Sequence, residues 1–224
     1  MAKNLNLAIY STFCGSSKNS TFNPAPVNEN YAYYFISNNE KILKKAKNSG
    51  WKAIFLDKEI YDDPTKSAYQ AKFAKAMPHK FNELKKYDFT FYTDDKLIPN
   101  ITKIENSIYE LNNSNSCLGI RKHPFLKNNI LFEFGESMLQ SRYKVEWEKT
   151  VEYINSEINN GYKLESQMYW TSAILRNMKH EDINLINETW YDHIQRCGIE
   201  CQISFNFISQ RFRSISLLPD DICD

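Results

Sequence analysis

Over roughly its first half the chain alternates short β-rich apolar runs with helical patterns, and this alternation constrains the fold more than any single motif. Strand signals fall at residues 5–10, 31–37, 51–56, 87–92 and 117–120, with helical patterns at 39–48, 65–77 and 101–111 between them. Ser49-Gly50 and Pro78 supply helix-stop signals. Strands that alternate with helices imply a mainly parallel α/β sheet covered by helices. The second half reads as more helical. Residues 136–158 and 161–178 are helix-compatible, 183–186 is a brief strand candidate, and a helix over 199–212 aligns Ile199, Ile203, Phe207 or Ile208, and Phe212. With no repeat, low-complexity tract or evident linker, residues 1–224 are expected to form one domain.

Charge and cysteine usage narrow the partners. The 28 basic and 27 acidic residues leave a formal net charge of +1, which gives no global field for recruiting nucleic acid or an anionic membrane. Met1-Ala2-Lys3-Asn4 leads into an apolar stretch too short and interrupted for a secretory leader, and no run is long enough to span a membrane. The five cysteines, Cys14, Cys117, Cys197, Cys201 and Cys223, are odd in number and scattered, as expected for reduced thiols of a cytoplasmic protein. Cys197 and Cys201 lie one helical turn apart, but no second Cys or His pair stands at zinc spacing.

The run Tyr87-Asp88-Phe89-Thr90-Phe91-Tyr92-Thr93-Asp94-Asp95 ends an aromatic strand in two carboxylates. Open α/β sheets hold ligands at the C-terminal ends of their strands. Adjacent acids repel unless something offsets them, so the pair suits a divalent metal or sugar hydroxyls, and equally a solvated Asp-Asp turn. Lys72 and Lys75 share a helical face before Pro78-His79 and suit either a diphosphate or a solvated helix surface. The loop over residues 14–30 is longer than a connector needs, and such loops often carry function. Gly-x-Gly-x-x-Gly, the P-loop pattern and Gly-x-Ser-x-Gly are all missing from the sequence, which argues against a dinucleotide fold, a P-loop ATPase and an α/β hydrolase.

Taken in order, Lys72-x-x-Lys75-x-x-Pro78-His79, Thr93-Asp94-Asp95-Lys96-Leu97, Lys122-His123-Pro124, Gln167-Met168, Trp190-Tyr191 and Gln202-Ile203-Ser204-Phe205 form a joint pattern. It resembles the glycosyltransferase-like domain of the TOD and MUCI type, formerly domain of unknown function 616, over nearly the whole chain. The resemblance implies a GT-A, Rossmann-like sheet and transfer of a sugar from a nucleotide-sugar donor to a carbohydrate or other acceptor hydroxyl. It also implies donor contacts from Lys72, Lys75, His79, Asp94 and Gln167, a divalent Mn²⁺ or Mg²⁺ at Asp94 and Asp95, and catalysis by His123, Glu200, Cys201 and Gln202. Four positions depart from the pattern: Lys72 stands for Arg, Asp95 for Gly, and Glu200-Cys201 before Gln202 for Arg-Asp. The last departure raises an alternative, a catalytically weakened GT-A domain that binds nucleotide or carbohydrate without transfer. Should residues 200–202 carry no chemistry, catalysis passes to His123 or Glu133.

Overall fold

The computed structural model describes residues 5–19, 24–126 and 128–223. The expectation for Met1 to Asn4, and the part of the long loop at 20–23, lie outside the described residues.

Five strands follow the predicted alternation: β1 (Leu7–Thr12), β2 (Ala32–Ser37), β3 (Lys52–Phe55), β4 (Phe89–Thr93) and β5 (Leu118–Lys122). Between them lie α1 (Glu40–Asn48), α2 (Pro64–Ala76) and α3 (Ile101–Asn113). Each helix starts at a side-chain cap, with Asn39, Asp63 and Asn100 accepting from Lys41 N, Thr65 N and Lys103 N. The C-terminal half adds α4 (Ile130–Ser137), α5 (Ser141–Lys144), α6 (Trp147–Asn159), β6 (Tyr169–Asn177), α7 (Ile183–Cys197), α8 (Cys201–Ile208) and β7 (Ile215–Leu218).

All seven strands join one sheet in the order β3-β2-β1-β4-β6-β5-β7. β1 to β4 run parallel, β7 runs parallel to β5, and β6 runs antiparallel to both β4 and β5. Helices cover both faces. Tyr10, Tyr92, Ile174 and Ile120 pack with α2, α7 and α8 on one side, while Ile9, Phe91 and Leu175 pack with α1 and α3 on the other.

Three predicted elements are corrected. Residues 161–178 do not form a helix; they hold strand β6, which sits between β4 and β5 and is buried on both faces. A strand buried twice over has no polar alternation, so its apolar run is indistinguishable from buried helix by period alone. Residues 183–186 are not a strand but the start of α7, in which Ile183, Ile186, Trp190 and Ile194 line one buried face. The expected helix over 136–158 is broken into parts of α4, α5 and α6, and β7 carried no clear signal.

A buried arginine ties these layers together. Arg176, on β6, is fully buried and donates from Nε to Asn187 Oδ1 (2.9 Å), from one amino group to Tyr10 Oη (3.0 Å) and from the other to the Lys75 carbonyl (3.0 Å). Tyr10 Oη in turn donates to that same carbonyl at 2.9 Å. One guanidinium therefore joins β1, β6, α7 and the last turn of α2. Truncation leaves a cavity and an unsatisfied Asn187 acceptor, so Arg176→Ala is expected to cost about 2–4 kcal/mol in urea unfolding. Arg176→Lys, which keeps charge but loses the fork, should fall between the two. An unchanged midpoint in the alanine variant would show that the guanidinium does not hold this junction.

Candidate active site

The sheet order contains a switch point. From β1 the chain moves outward through β2 and β3, then returns to β4 on the other side of β1. The crevice outside the carboxyl ends of β1 and β4 is where doubly wound sheets bind ligands. A cavity of about 380 Å³ opens there, within the range of small-molecule sites.

Local sequence explains its walls. Beyond β1, Gly15 adopts φ +106°, and a Cβ there would meet Ser67 Oγ at 2.3 Å, so the loop approaches α2 more closely than any other residue permits. Asn38 accepts from Gly15 N (2.9 Å) and Asn39 donates to Gly15 O (2.9 Å), pinning the turn. Along α2, Pro64, Ser67, Ala68, Ala71, Lys72 and Lys75 recur at helical spacing and all line the cavity. Small side chains leave the space open. The two lysines close its inner end.

There Lys75 Nζ donates to Thr171 Oγ1 (3.2 Å), stands 3.6 Å from Asp94 Oδ1 and lies 4.8 Å from the centre of the Tyr92 ring. Lys72 Nζ donates to Cys201 Sγ at 3.1 Å, and that sulfur lies 3.3 Å from Thr171 Oγ1. Burial works against the Lys72 ammonium, but the fields of Cys201, Tyr143, Glu200 and Asp94 outweigh it and raise its pKa above the ordinary lysine value. Asp94 Oδ1 also accepts from Tyr92 Oη at 2.6 Å. The Asp95 carboxyl is pushed up by burial and by Asp94 beside it. Four cations, Lys72, Lys75, Lys96 and Arg142, thus line a cavity with two acids.

The donor set for a metal is narrow. Among the described residues no group of three or more His, Cys, Asp or Glu is placed to hold an ion. Asp94 and Asp95 fit Mg²⁺ or Mn²⁺ only as part of a shell completed by ligand oxygens and water, which is how such ions sit at phosphate sites.

A second cluster lies at the end of β5. Glu133, buried on α4, accepts from Gln202 Nε2 at 2.6 Å and stands 3.5 Å from His123 Nε2. His123 Nδ1 accepts from the Phe125 and Leu126 amides (3.3 and 2.9 Å). That assignment puts the ring proton on Nε2, facing Glu133. Burial lowers the His123 pKa, keeping the ring neutral. Burial, then the Glu200 carboxylate, with a smaller effect from Glu136, raises Glu133 to about 7, while the Gln202 hydrogen bond opposes them. Gln167 sits alongside, its Nε2 donating to Met168 O, whose carbonyl also takes the His123 amide.

Not every candidate reaches the cleft. His79 lies in the 3-10 turn Pro78–Lys80 beyond α2, with Nε2 3.2 Å from Glu188 Oε1 and Nδ1 3.4 Å from Asn187 Nδ2, against α7. Glu200 caps α8 by accepting from Gln202 N at 3.0 Å. The two clusters are joined through Gln202, whose Oε1 accepts from Thr171 N at 3.3 Å. Arg142, Tyr143, Thr171 and Arg176 were not singled out from the sequence; no periodicity or motif marks them.

No family model and no curated protein matches the sequence. Among solved structures, apo mouse xyloside xylosyltransferase 1 superposes with a TM-score of 0.51 at 12% identity, over 96% of this chain and 85% of that one. GlyE of Streptococcus pneumoniae, a glycosyltransferase, follows at 0.48 and 13%, over 95% and 45%. Core-mannan synthase A of Aspergillus fumigatus, in its Mn/GDP form, gives 0.46 and 14%, over 92% and 66%. The chain has the GT-A type of fold, a mostly parallel mixed sheet flanked by helices. No helix among the described residues is long and apolar enough to cross a membrane.

The raised Glu133 carboxyl has a consequence for stability. Its folded pKa of about 7 exceeds the ordinary 4.5, so between those values the folded state holds a proton the unfolded state has lost. Stability from this group is complete below about 4.5 and is lost as pH rises toward 7. Glu133→Gln keeps an acceptor for Gln202 and cannot ionise. It should melt above wild type at about pH 8, with the gap closing at about pH 4. A constant difference at both pH values would mean that Glu133 ionises normally.

Proposed function

We propose that residues 1–224 act as one glycosyltransferase domain of the TOD and MUCI type, transferring a sugar from a nucleotide-sugar donor to a carbohydrate or other acceptor hydroxyl. The observation that carries this reading is the cleft at the β1/β4 switch point, with Lys72 and Lys75 at its inner end and Asp94 beside them. A nucleotide diphosphate is a ligand of that size and charge. In the transfer, the bond from the anomeric carbon to the diphosphate oxygen breaks and a bond to the acceptor oxygen forms. Charge develops on the departing diphosphate, and Lys72 and Lys75 stabilise it in place. Asp94 and Asp95 would hold a divalent cation together with ligand oxygens and water, and that ion would supply further positive charge at the diphosphate.

The acceptor side falls to the second cluster. Glu200 is committed to capping α8, and Cys201 to its contact with Lys72. His123 presents a proton, not a lone pair. Glu133, close to neutrality in its pKa, is the group suited to take the acceptor proton, with Gln202 and His123 orienting it.

A panel of nucleoside diphosphates and nucleotide sugars, read by thermal shift, tests this. A ligand at about 100 times its Kd adds about 2.7 kcal/mol, or roughly 5–10 °C for a chain of this size. Slow release of nucleoside diphosphate from the stabilising donor marks a transferase. A shift without release favours the alternative, a GT-A domain that binds without transfer, and no shift with any nucleotide removes the reading.

A further inference from the structure

We propose that the ammonium groups of Lys72 and Lys75 grip the diphosphate directly, so that a nucleoside diphosphate binds this cleft without a divalent cation. The inference rests on the nucleotide reading above and concerns which charge holds the ligand.

The distribution of burial points this way. At the inner end of the cleft the Lys75 side chain is 4% exposed, whereas Asp94, 3.6 Å away, is 46% exposed. The cation is withdrawn from water and its counter-charge is not. A buried ammonium whose one close carboxylate stays largely in water keeps much of its desolvation cost uncompensated, so it has more to gain from a second anion. The pair of ammoniums carries six N–H donors. Among the described residues these donors make two hydrogen bonds, to Thr171 Oγ1 and to Cys201 Sγ. Donor capacity for a polyanion is therefore already in place.

Geometry agrees with charge. Lys72 and Lys75 are three residues apart on α2, so they stand as neighbours on one face, a spacing that suits two adjacent phosphates. Ser67, Ala68 and Ala71 leave the approach along that face open. Lys75 is fixed from behind, its carbonyl taking hydrogen bonds from Arg176 and Tyr10, and the Lys72 ammonium is oriented by its contact with Cys201. The Asp94 carboxylate is less well placed to bind through metal alone. Asp94 Oδ1 is already occupied by Tyr92 Oη and faced by Lys75.

Titration calorimetry with UDP, GDP and inorganic pyrophosphate, each in EDTA and in Mn²⁺, decides the matter. The expected result is a nucleoside diphosphate bound in EDTA with a Kd within about threefold of that in Mn²⁺. Lys72→Gln and Lys75→Gln should each weaken that binding about 10- to 100-fold, the loss of a charged hydrogen bond. Lys72→Arg and Lys75→Arg, which keep the charge, should restore most of it, and unliganded melting curves show whether each variant is folded. Binding that appears only in Mn²⁺ overturns the cation-free grip while leaving the nucleotide reading intact. Full affinity in the folded glutamine variants also overturns it. Pyrophosphate binding in EDTA without binding of either nucleotide supports the lysine grip and sinks the nucleotide reading. A chain that binds none of the three under either condition loses both.

Discussion

The guanidinium of Arg176 is the constraint on which the cleft depends. Among the described residues its hydrogen bonds go to neutral groups: Asn187 Oδ1, Tyr10 Oη and the Lys75 carbonyl. Burial lowers its pKa, but it has no practical route to neutrality in a protein, so the fold must surround it with oriented oxygens. Two of those oxygens belong to different sheet and helix layers, and the third is the end of α2. The same interaction that closes the interior therefore sets where the Lys75 side chain emerges.

How much of this was legible follows from what period and punctuation encode. The first five strands and α1 to α3 announce themselves because each run is bounded by Gly, Pro, Asn or Asp and each helix has a capping residue. Strand β6 hides because, lying between β4 and β5, it is buried on both faces and shows no alternation of apolar and exposed polar residues. The switch-point site was partly readable: Lys72 and Lys75 share a helical face, and Asp94 ends a strand. Yet Thr171 and Arg176, which both hold Lys75, sit on the strand whose sequence reads as helix. His79 looked equivalent to the lysines in sequence spacing. Helix α2 ends at Ala76, and the 3-10 turn at Pro78 carries His79 to α7 instead.

Two of the departures from the TOD and MUCI pattern meet in space. Lys72 stands for Arg and Cys201 for Asp, and here their side chains touch at 3.1 Å. An Arg–Asp pair at these positions would join a guanidinium to a carboxylate. Here an ammonium stands beside a small, neutral-capable sulfur instead, so the contact leaves the Lys72 charge less completely offset than a carboxylate would.

The switch-point cleft and the Glu133 cluster are also mechanically one unit. Trp190 Nε1, buried on α7, donates to the Cys201 carbonyl, and Gly198, at φ +116°, turns the chain between α7 and α8 where a Cβ would crowd Glu146 and Thr150. The first turn of α8 is thereby fixed. Cys201 on it faces Lys72, and the next residue, Gln202, spans from Thr171 N to Glu133. Any displacement of that turn moves a contact of Lys72 and a contact of Glu133 together. Substitutions in residues 198–202 should therefore perturb both halves of the site at once, whereas those at Asp94 or His123 act on one half alone.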